Sequence, residues 1–305
     1  MGVNLANVVC IMNPTAGTRR QVRLAVEQEL ETAGVDFVFY ETQAAGHAFQ
    51  LAKDAVVAAA GVVIGIGGDG TLNEVARALV NRQVPLGLIP VGSGNAFARA
   101  LNISTVPQKA CRQLLAADVK RLDVGMVEDE IFLSTAGVGI DAEVAWLYAA
   151  RKGKRRGMIP YLMLTLQVIR QYKPKPLKLF LDDQQAIACC PLGVVVANTA
   201  EYGNGVIIAP GAHAEDGVLD VRIIEPKSLL SIAMHGWRLF MGSIDEMPGV
   251  RQFKAQKVRI ERDVADYFQF DGEARRGPTT LNFTVKPKAL SVLVPKRDKC
   301  SEIAV

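Results

Sequence analysis

The order of its apolar runs most narrows what this chain can become. Residues 7–12 (NVVCIM), 36–41 (DFVFYE), 61–66 (GVVIGI) and 86–90 (LGLIP) are short and rich in β-branched or aromatic side chains, as strands are. The stretches between them carry helical spacing. Val22, Ala25, Val26 and Leu30 share one face; residues 48–60 form a second such stretch; Leu72, Val75, Ala76, Leu79 and Val80 share a face in the third, and residues 96–101 form a short fourth after the last strand. Alternation of this kind predicts a parallel sheet with helices on both faces. From about Leu122 strands dominate: DVGMV, IFLSTA, LKLFL, LGVVVAN, VLDVRII, KVRI, YFQFDG, LNFTV and ALSVLVP, with turns such as Glu128-Asp129-Glu130 and Asp182-Asp183 between them. This predicts an antiparallel β-sandwich, interrupted by helical inserts around 141–171 and 228–241. The expected division is an α/β domain over 1–123 and a sandwich over 124–295, with 296–305 a candidate to rejoin the first domain.

Of the 305 residues, 50% are hydrophobic, enough for two cores. A net charge of +4 is too mild to point to nucleic acid. The cations are uneven, however: residues 151–156 read RKGKRR. They precede GMIPYLMLTLQVI, where Ile159, Leu162, Met163, Leu166 and Ile169 share a helical face. Cations beside an amphipathic helix suit an anionic lipid surface, whereas the apolar face itself reads as packed in a core. The five cysteines (Cys10, Cys111, Cys189, Cys190, Cys300) show no C-x-x-C spacing and read as reduced thiols in a cytoplasmic protein. The three histidines lie outside zinc-type spacing. The N-terminus, MGVNLANVVCIM, lacks the basic n-region of a signal peptide. The uncharged apolar stretch at residues 55–68 falls short of the about 20 apolar residues a membrane span needs.

The chemistry concentrates in three polar loops, each between a strand and a helix. They are Asn13-Pro14-Thr15-Ala16-Gly17, the segment GIGGDGTLNE (residues 65–74), and Gly92-Ser93-Gly94-Asn95. In a parallel sheet such loops share the carboxyl edge, where ligands bind. Gly65, Gly67 and Gly70 spell G-x-G-x-x-G, but the following strand ends Ile89-Pro90-Val91-Gly92-Ser93 with no acid for a ribose, so a dinucleotide site is rejected. Gly67, Gly68 and Gly70 would let backbone N–H groups approach a phosphate, and the next helix adds its dipole. Asp69 would repel that phosphate unless Mg²⁺ on a nucleotide, or the proton of an attacking hydroxyl, offsets it. Phosphoryl transfer therefore suits Asp69 better than nicotinamide binding; the competing reading makes Asp69 a cap for the helix beginning near Thr71. There is no G-x-x-x-x-G-K-[ST] and no G-x-S-x-G.

Six blocks now occur in order: NPTAG (13–17), GGDGTLNEV (67–75), PVGSGNAFA (90–98), GVGIDAEV (137–144), EDGVLDV (215–221) and FDGE (270–273). Together they resemble the diacylglycerol kinase catalytic-domain family, which includes bacterial lipid kinases and sphingosine and ceramide kinases. The resemblance covers nearly the whole chain. It implies an N-terminal nucleotide domain, a C-terminal β-sandwich, ATP bound in a cleft between them, and transfer of the γ-phosphoryl group to a lipid hydroxyl. By matched position, Gly68, Asp69, Gly70, Thr71, Asn73 and Glu74 would hold ATP phosphates, and Thr42 and Ser93 would line the nucleotide site. Asp271 would be the general base with Glu273 beside it, a role that Asp69 takes in sphingosine kinase-like members. Asp216 would supply a carboxylate to a structural Mg²⁺ site, with backbone carbonyls of His213 and Val218.

The third block departs from the GTxNDFA of many bacterial members: Ser93 and Asn95-Ala96 are closer to the GSGNA of sphingosine kinases, which leaves diacylglycerol and sphingoid acceptors both open. GGDGT alone is shared with NAD kinases, but the TPTGSTAY-like motif of those enzymes is absent. A catalytically silent regulator would have no need of both GGDGT and FDGE. The expected partner is a lipid at the cytoplasmic face of a membrane, with Arg151 to Arg156 as a contact and no nucleic acid. Assembly state is left open, a homodimer included.

Overall fold

The computed structural model describes residues 5–14, 19–151, 158–227 and 234–296. Two compact units divide the chain: Met1–Leu122 with Ala289–Val305, and Asp123–Lys288.

In the first unit strands and helices alternate as β1 (Val8–Met12), α1 (Arg19–Thr32), β2 (Phe37–Glu41), α2 (His47–Val57), β3 (Val62–Gly67), α3 (Asp69–Leu79), β4 (Leu86–Pro90), α4 (Ala96–Ala100) and α5 (Pro107–Leu115). The sheet order is β2-β1-β3-β4, all parallel, with Val8 opposite both Phe37 and Val62, and Val63 opposite Leu86. β1, β3 and β4 are buried along their whole length, which is why they read as unbroken apolar runs rather than alternating ones. From β1 the chain steps one way to β2, then returns through β3 to β4. Right-handed crossovers then put α1 on one face and α2 and α3 on the other. The packing agrees, with α1 against α5 and α2 against α3. The direction reverses between β1 and β3, which opens their carboxyl ends to a ligand.

The chain continues into the second unit through β5 (Asp118–Val127), β6 (Glu130–Phe132), β7 (Thr135–Gly139), α6 (Ile140–Ala149), α7 (Met158–Ile169), β8 (Leu177–Leu181), β9 (Ile187–Cys189), β10 (Gly193–Ala197), β11 (Glu201–Gly203), β12 (Val206–Ile207), β13 (Leu219–Ile224), β14 (Val250–Ala255), β15 (Lys257–Arg262), β16 (Asp266–Phe270), β17 (Glu273–Gly277) and β18 (Thr280–Val294), of which β5 begins and β18 ends in the first unit. One antiparallel sheet runs β14-β13-β10-β7-β16-β17, and a second antiparallel set joins β18, β15, β8 and β9. Every second residue points inward. Ala136 and Val138, Val194 and Val196, and Leu219, Val221 and Ile223 come from the first sheet; Leu177 and Leu179, Val258 and Ile260, and Leu281 and Phe283 come from the second, and all meet in one core. The turn Asp271-Gly272 joins β16 to β17, so Glu273–Gly277 supplies a strand between YFQFDG and LNFTV that the sequence reading did not include. β18 then runs out of this unit, and its end pairs with β4 in the first, Val292 beside Leu86 and parallel.

α7 corrects another expectation. It packs on α6 through Leu164 and Val168, beside Val144, Tyr148 and Tyr161. The stripe read as core-packed instead faces solvent, with Ile159 69%, Leu162 51%, Met163 66% and Leu166 52% exposed. Residues 152–157, with most of the basic run, and 228–233 lie outside the described residues. Among the described residues no helix is long and apolar enough to cross a membrane.

Gly139 ends β7 at φ +110°, and a Cβ there would meet Gly193 Cα and Leu192 O at 2.6 Å. Gly139→Ala should lower unfolding free energy by roughly 2–3 kcal/mol, read as a shift in the urea midpoint at unchanged slope. A midpoint within error of wild type would show that the β7–β10 contact tolerates a side chain.

Candidate functional site

At the carboxyl edge of the parallel sheet, backbone bonds tie the loops to the strands. Asn13 N–H donates to Ile66 O (2.9 Å), Thr42 N–H to Met12 O (2.9 Å) and Val91 N–H to Gly67 O (2.9 Å). Asn13 Nδ2 reaches Thr71 Oγ1 at 3.1 Å, which ties Asn13 to the first turn of α3; the rest of that loop from Thr15 on lies outside the described residues. The second and third loops touch backbone to backbone: a Cβ on Gly92 would stand 2.6 Å from Gly68 Cα, and one on Gly68 would stand 3.3 Å from Gly92 Cα. Only glycine permits that approach at Gly92.

Asn95 closes the third loop. It sits in the left-handed region at φ 55° and is almost wholly buried. Its Oδ1 accepts from Gly92 N–H (3.0 Å) and its Nδ2 donates to Gly92 O (2.8 Å). Its own N–H donates to Asp69 Oδ2 at 2.7 Å. Asp69 thus does cap a helix, but it is α4, which begins at Ala96, rather than the helix that Asp69 itself opens. Burial pushes the Asp69 carboxyl above its ordinary value, while the N–H groups of Asn95 and Ala96 and the charge of Arg99 pull it back. A Cβ on Gly94 would sit 2.8 Å from Asp69 Oδ2, so the flanking glycines make room for the carboxylate as well as for a ligand.

The remaining residues of this edge divide by environment. Gly67 N-terminal to α3 is packed against Thr71, where a Cβ would lie 2.6 Å from Thr71 Cβ. Gly68 is the N-cap of α3 in extended conformation, so the first-turn N–H groups, those of Gly70 and Thr71 among them, lack intrahelical acceptors and define an anion-binding direction. Asn73 follows in the same helix, and Ser93 is exposed at the loop tip. Glu74 is turned elsewhere: its two oxygens accept the N–H groups of Gly46 (2.8 Å) and Ala48 (3.1 Å), capping α2. Nothing in the sequence distinguishes that use from phosphate binding, because the partner helix is 26 residues or more away along the chain.

In the second unit Asp271 and Gly272 form a two-residue hairpin turn with φ 46° and 82°, the left-handed pair favoured by Asp-Gly. The Asp271 carboxylate accepts three backbone N–H groups, from Leu133 (2.7 Å), Ser134 (2.8 Å) and Thr135 (3.2 Å). Glu273 begins β17 and is exposed.

Around Asp216, Lys254 Nζ donates to Oδ2 at 2.9 Å and stands 3.4 Å from Asp220 Oδ2. Val218 N–H donates to Asp216 Oδ1 (3.2 Å), and His213 O accepts the Asp216 N–H (3.4 Å). Among the described residues no group of three His, Cys, Asp or Glu side chains gathers to hold an ion. As arranged, these residues do not fit a resident metal, because an ammonium group already offsets the carboxylates. Sequence reasoning missed Lys254, and it missed Asp123, a buried acid whose oxygens accept Gly217 N–H and Lys288 N–H at 2.7 Å and so fix this loop. Neither stands in a glycine-rich block, the only signal that could have marked them.

Comparison with known proteins bears on both units. The diacylglycerol kinase catalytic domain matches residues 7–127, and the YegS C-terminal NAD kinase beta sandwich-like domain matches residues 134–294. A diacylglycerol kinase of Mycobacterium tuberculosis is 27% identical over 96% of each chain. A Pseudomonas fluorescens protein named a probable YegS-like lipid kinase is 31% identical over 94% of each. The crystal structure of a Bacillus anthracis diacylglycerol kinase superposes with a TM-score of 0.74 at 20% identity, covering 94% of this chain and 96% of that one, which shows a shared fold. Yeast NADH kinase, at 12% identity and a TM-score of 0.50 over 98% of this chain and 86% of that one, shares the fold alone.

Gly92→Ala should force the second and third loops apart and cost roughly 1–3 kcal/mol in chemical denaturation, whereas Ser93→Ala beside it should stay within about 0.5 kcal/mol of wild type. Equal effects at the two positions would show that the glycine contact does not hold the loops.

Proposed function

The chain belongs to the diacylglycerol kinase catalytic-domain family, and on that footing we propose that it transfers the γ-phosphoryl group of ATP to a hydroxyl of a membrane lipid of diacylglycerol or sphingoid type. The observation that carries this reading is the set of glycine loops at the start of α3, inside the segment that matches the catalytic domain. Mg²⁺ arrives as part of the substrate, on the nucleotide phosphates.

The N–H groups of Gly70 and Thr71 receive the phosphates, and the N-terminal dipole of α3 favours their charge. Asp69 holds the third loop in place through Asn95. Asp271 accepts the proton of the lipid hydroxyl as its oxygen bonds to the γ-phosphorus; the bond from that phosphorus to the β-γ bridging oxygen breaks, and ADP leaves. Three N–H bonds hold the Asp271 carboxylate at a fixed angle.

Access to the lipid is assigned to α7. Its exposed stripe of Ile159, Leu162, Met163 and Leu166 offers the apolar face of an interfacial helix. The preceding RKGKRR adds cations, each worth about 1 kcal/mol at an anionic surface.

Incubation with [γ-³²P]ATP, Mg²⁺ and a total lipid extract should yield a labelled lipid, identified by mass. Asp271→Asn should lower kcat by roughly 10²–10⁴-fold while circular dichroism shows it folded at the assay temperature. Absence of label in any lipid would end the kinase reading, and near-normal turnover of the variant would remove Asp271 from the chemistry. In vesicle sedimentation the protein should bind phosphatidylglycerol-containing vesicles more than pure phosphatidylcholine, and Met163→Asp should weaken both. Unchanged binding by Met163→Asp would take α7 off the membrane.

A further inference from the structure

Behind the Asp271 turn lies a second carboxylate that plays no part in the chemistry above. Asp141, near the start of α6, is flanked by Gly137 and Gly193: a Cβ on Gly137 would stand 3.1 Å from its Oδ2 and one on Gly193 3.8 Å from its Oδ1. Its Oδ1 accepts Ala142 N–H (2.9 Å), and its Oδ2 accepts from Gln269 Nε2 (3.1 Å), with the Tyr202 hydroxyl at 3.4 Å. Gln269, in β16, is completely buried, and its Oε1 accepts the N–H of Gly272 at 3.1 Å. A continuous relay thus runs from Asp141 through one amide to the turn that carries Asp271.

The chemistry of the three groups allows only one arrangement. A carboxylate can only accept, the Gly272 N–H can only donate, and a glutamine amide has one end of each kind. The charge on Asp141 therefore decides which end of Gln269 faces the turn. We infer that Asp141 is a positioning residue, whose carboxylate orients the Gln269 amide and through it fixes the Asp271-Gly272 turn. This rests on the role proposed for Asp271, but the relay can be read without it.

Burial pushes the Asp141 carboxyl up to about 6, against the hydrogen bonds from Gln269, Ala142 and Tyr202 that pull it down. A carboxyl raised from an ordinary 3.8 stabilises the fold fully below about 4 and loses that contribution as pH rises through about 6. At neutral pH the ionised group is thus a burden on stability, which fits a carboxylate kept for orientation. The titratable groups facing it are Tyr202 in β11, Tyr161 in α7 and Tyr172 beyond α7, all held above the ordinary tyrosine range and neutral near pH 6. Proton uptake by Asp141 would present a donor to Gln269 and release the turn.

The test is a hydrogen-bond swap in the full chain. Asp141→Asn can donate to Gln269, turning its NH₂ toward the Gly272 N–H; Gln269→Glu sets two carboxylates against each other. The double variant D141N/Q269E restores a donor facing an acceptor at both joints. Each single variant should speed hydrogen exchange at the Gly272 amide at least tenfold at pH 7.5 and lower kcat at least tenfold with KM for ATP changed less than threefold. The double variant should recover both to within about threefold. Wild type should lose Gly272 protection as pH falls through about 6, after correction for intrinsic exchange, and Asp141→Asn should show no such step. Loss and recovery of protection with kcat unchanged would uphold the relay and remove Asp271 from catalysis. Unchanged Gly272 exchange in Asp141→Asn, or a double variant as impaired as either single one, would overturn the inference.

Discussion

The contact on which the first unit's ligand edge depends is the one between Asp69 and the N–H of Asn95. It joins two loops that arise after different strands, and it solves the problem of a carboxylate set among glycines. The acid is held by backbone N–H groups of the neighbouring loop, which leaves the first turn of its own helix to face outward. Gly68 and Gly92 make this arrangement possible, since their backbones approach so closely that a side chain at Gly92 would collide. Asn95 completes it by bonding to both polar groups of Gly92. Take away the Asp69 bond and the third loop keeps only the Val91–Gly67 bond and the glycine contact to hold it to the second.

Much of this was legible in residue order. The buried parallel strands announce themselves as unbroken apolar runs, and the sandwich as a succession of short strands separated by turns, with Leu219, Val221 and Ile223 alternating with polar neighbours. The glycine blocks at 67–70 and 92–94 lie at the carboxyl ends of β3 and β4, as strand-loop-helix order requires. What could not be read is which acid serves which helix. Asp69 and Glu74 lie five residues apart in one motif, yet one caps α4 and the other α2. Pairings of that kind are set by how helices are laid across the sheet, a long-range property with no local mark. The face of α7 shows the converse limit: helical spacing identifies an apolar stripe, but not whether Leu164 and Val168 or Ile159 and Met163 meet the neighbouring helix.

The second unit shows how acids and cations are matched around a polar loop. Lys254 stands against Asp216 and Asp220, and Asp123 gathers two N–H groups into the same region. On the outer side of β13 the guanidinium of Arg222, also buried, is held by both oxygens of Asp245 and by Asp220. Such groups are expensive to bury singly and tolerable in matched sets, so their value lies in fixing one geometry rather than in raw stability.

The return of β18 to the first unit has a consequence for biosynthesis. Val292 pairs with Leu86, so the β4 side of a parallel set whose four strands all lie before residue 91 stays bare until residue 292 has left the ribosome. For most of translation the amino-terminal half is therefore an unfinished sheet with an unsatisfied edge, the kind of surface that invites wrong pairings. Nascent chains of this architecture would favour a folding route in which the sandwich, complete by residue 288, forms first and delivers the closing strand.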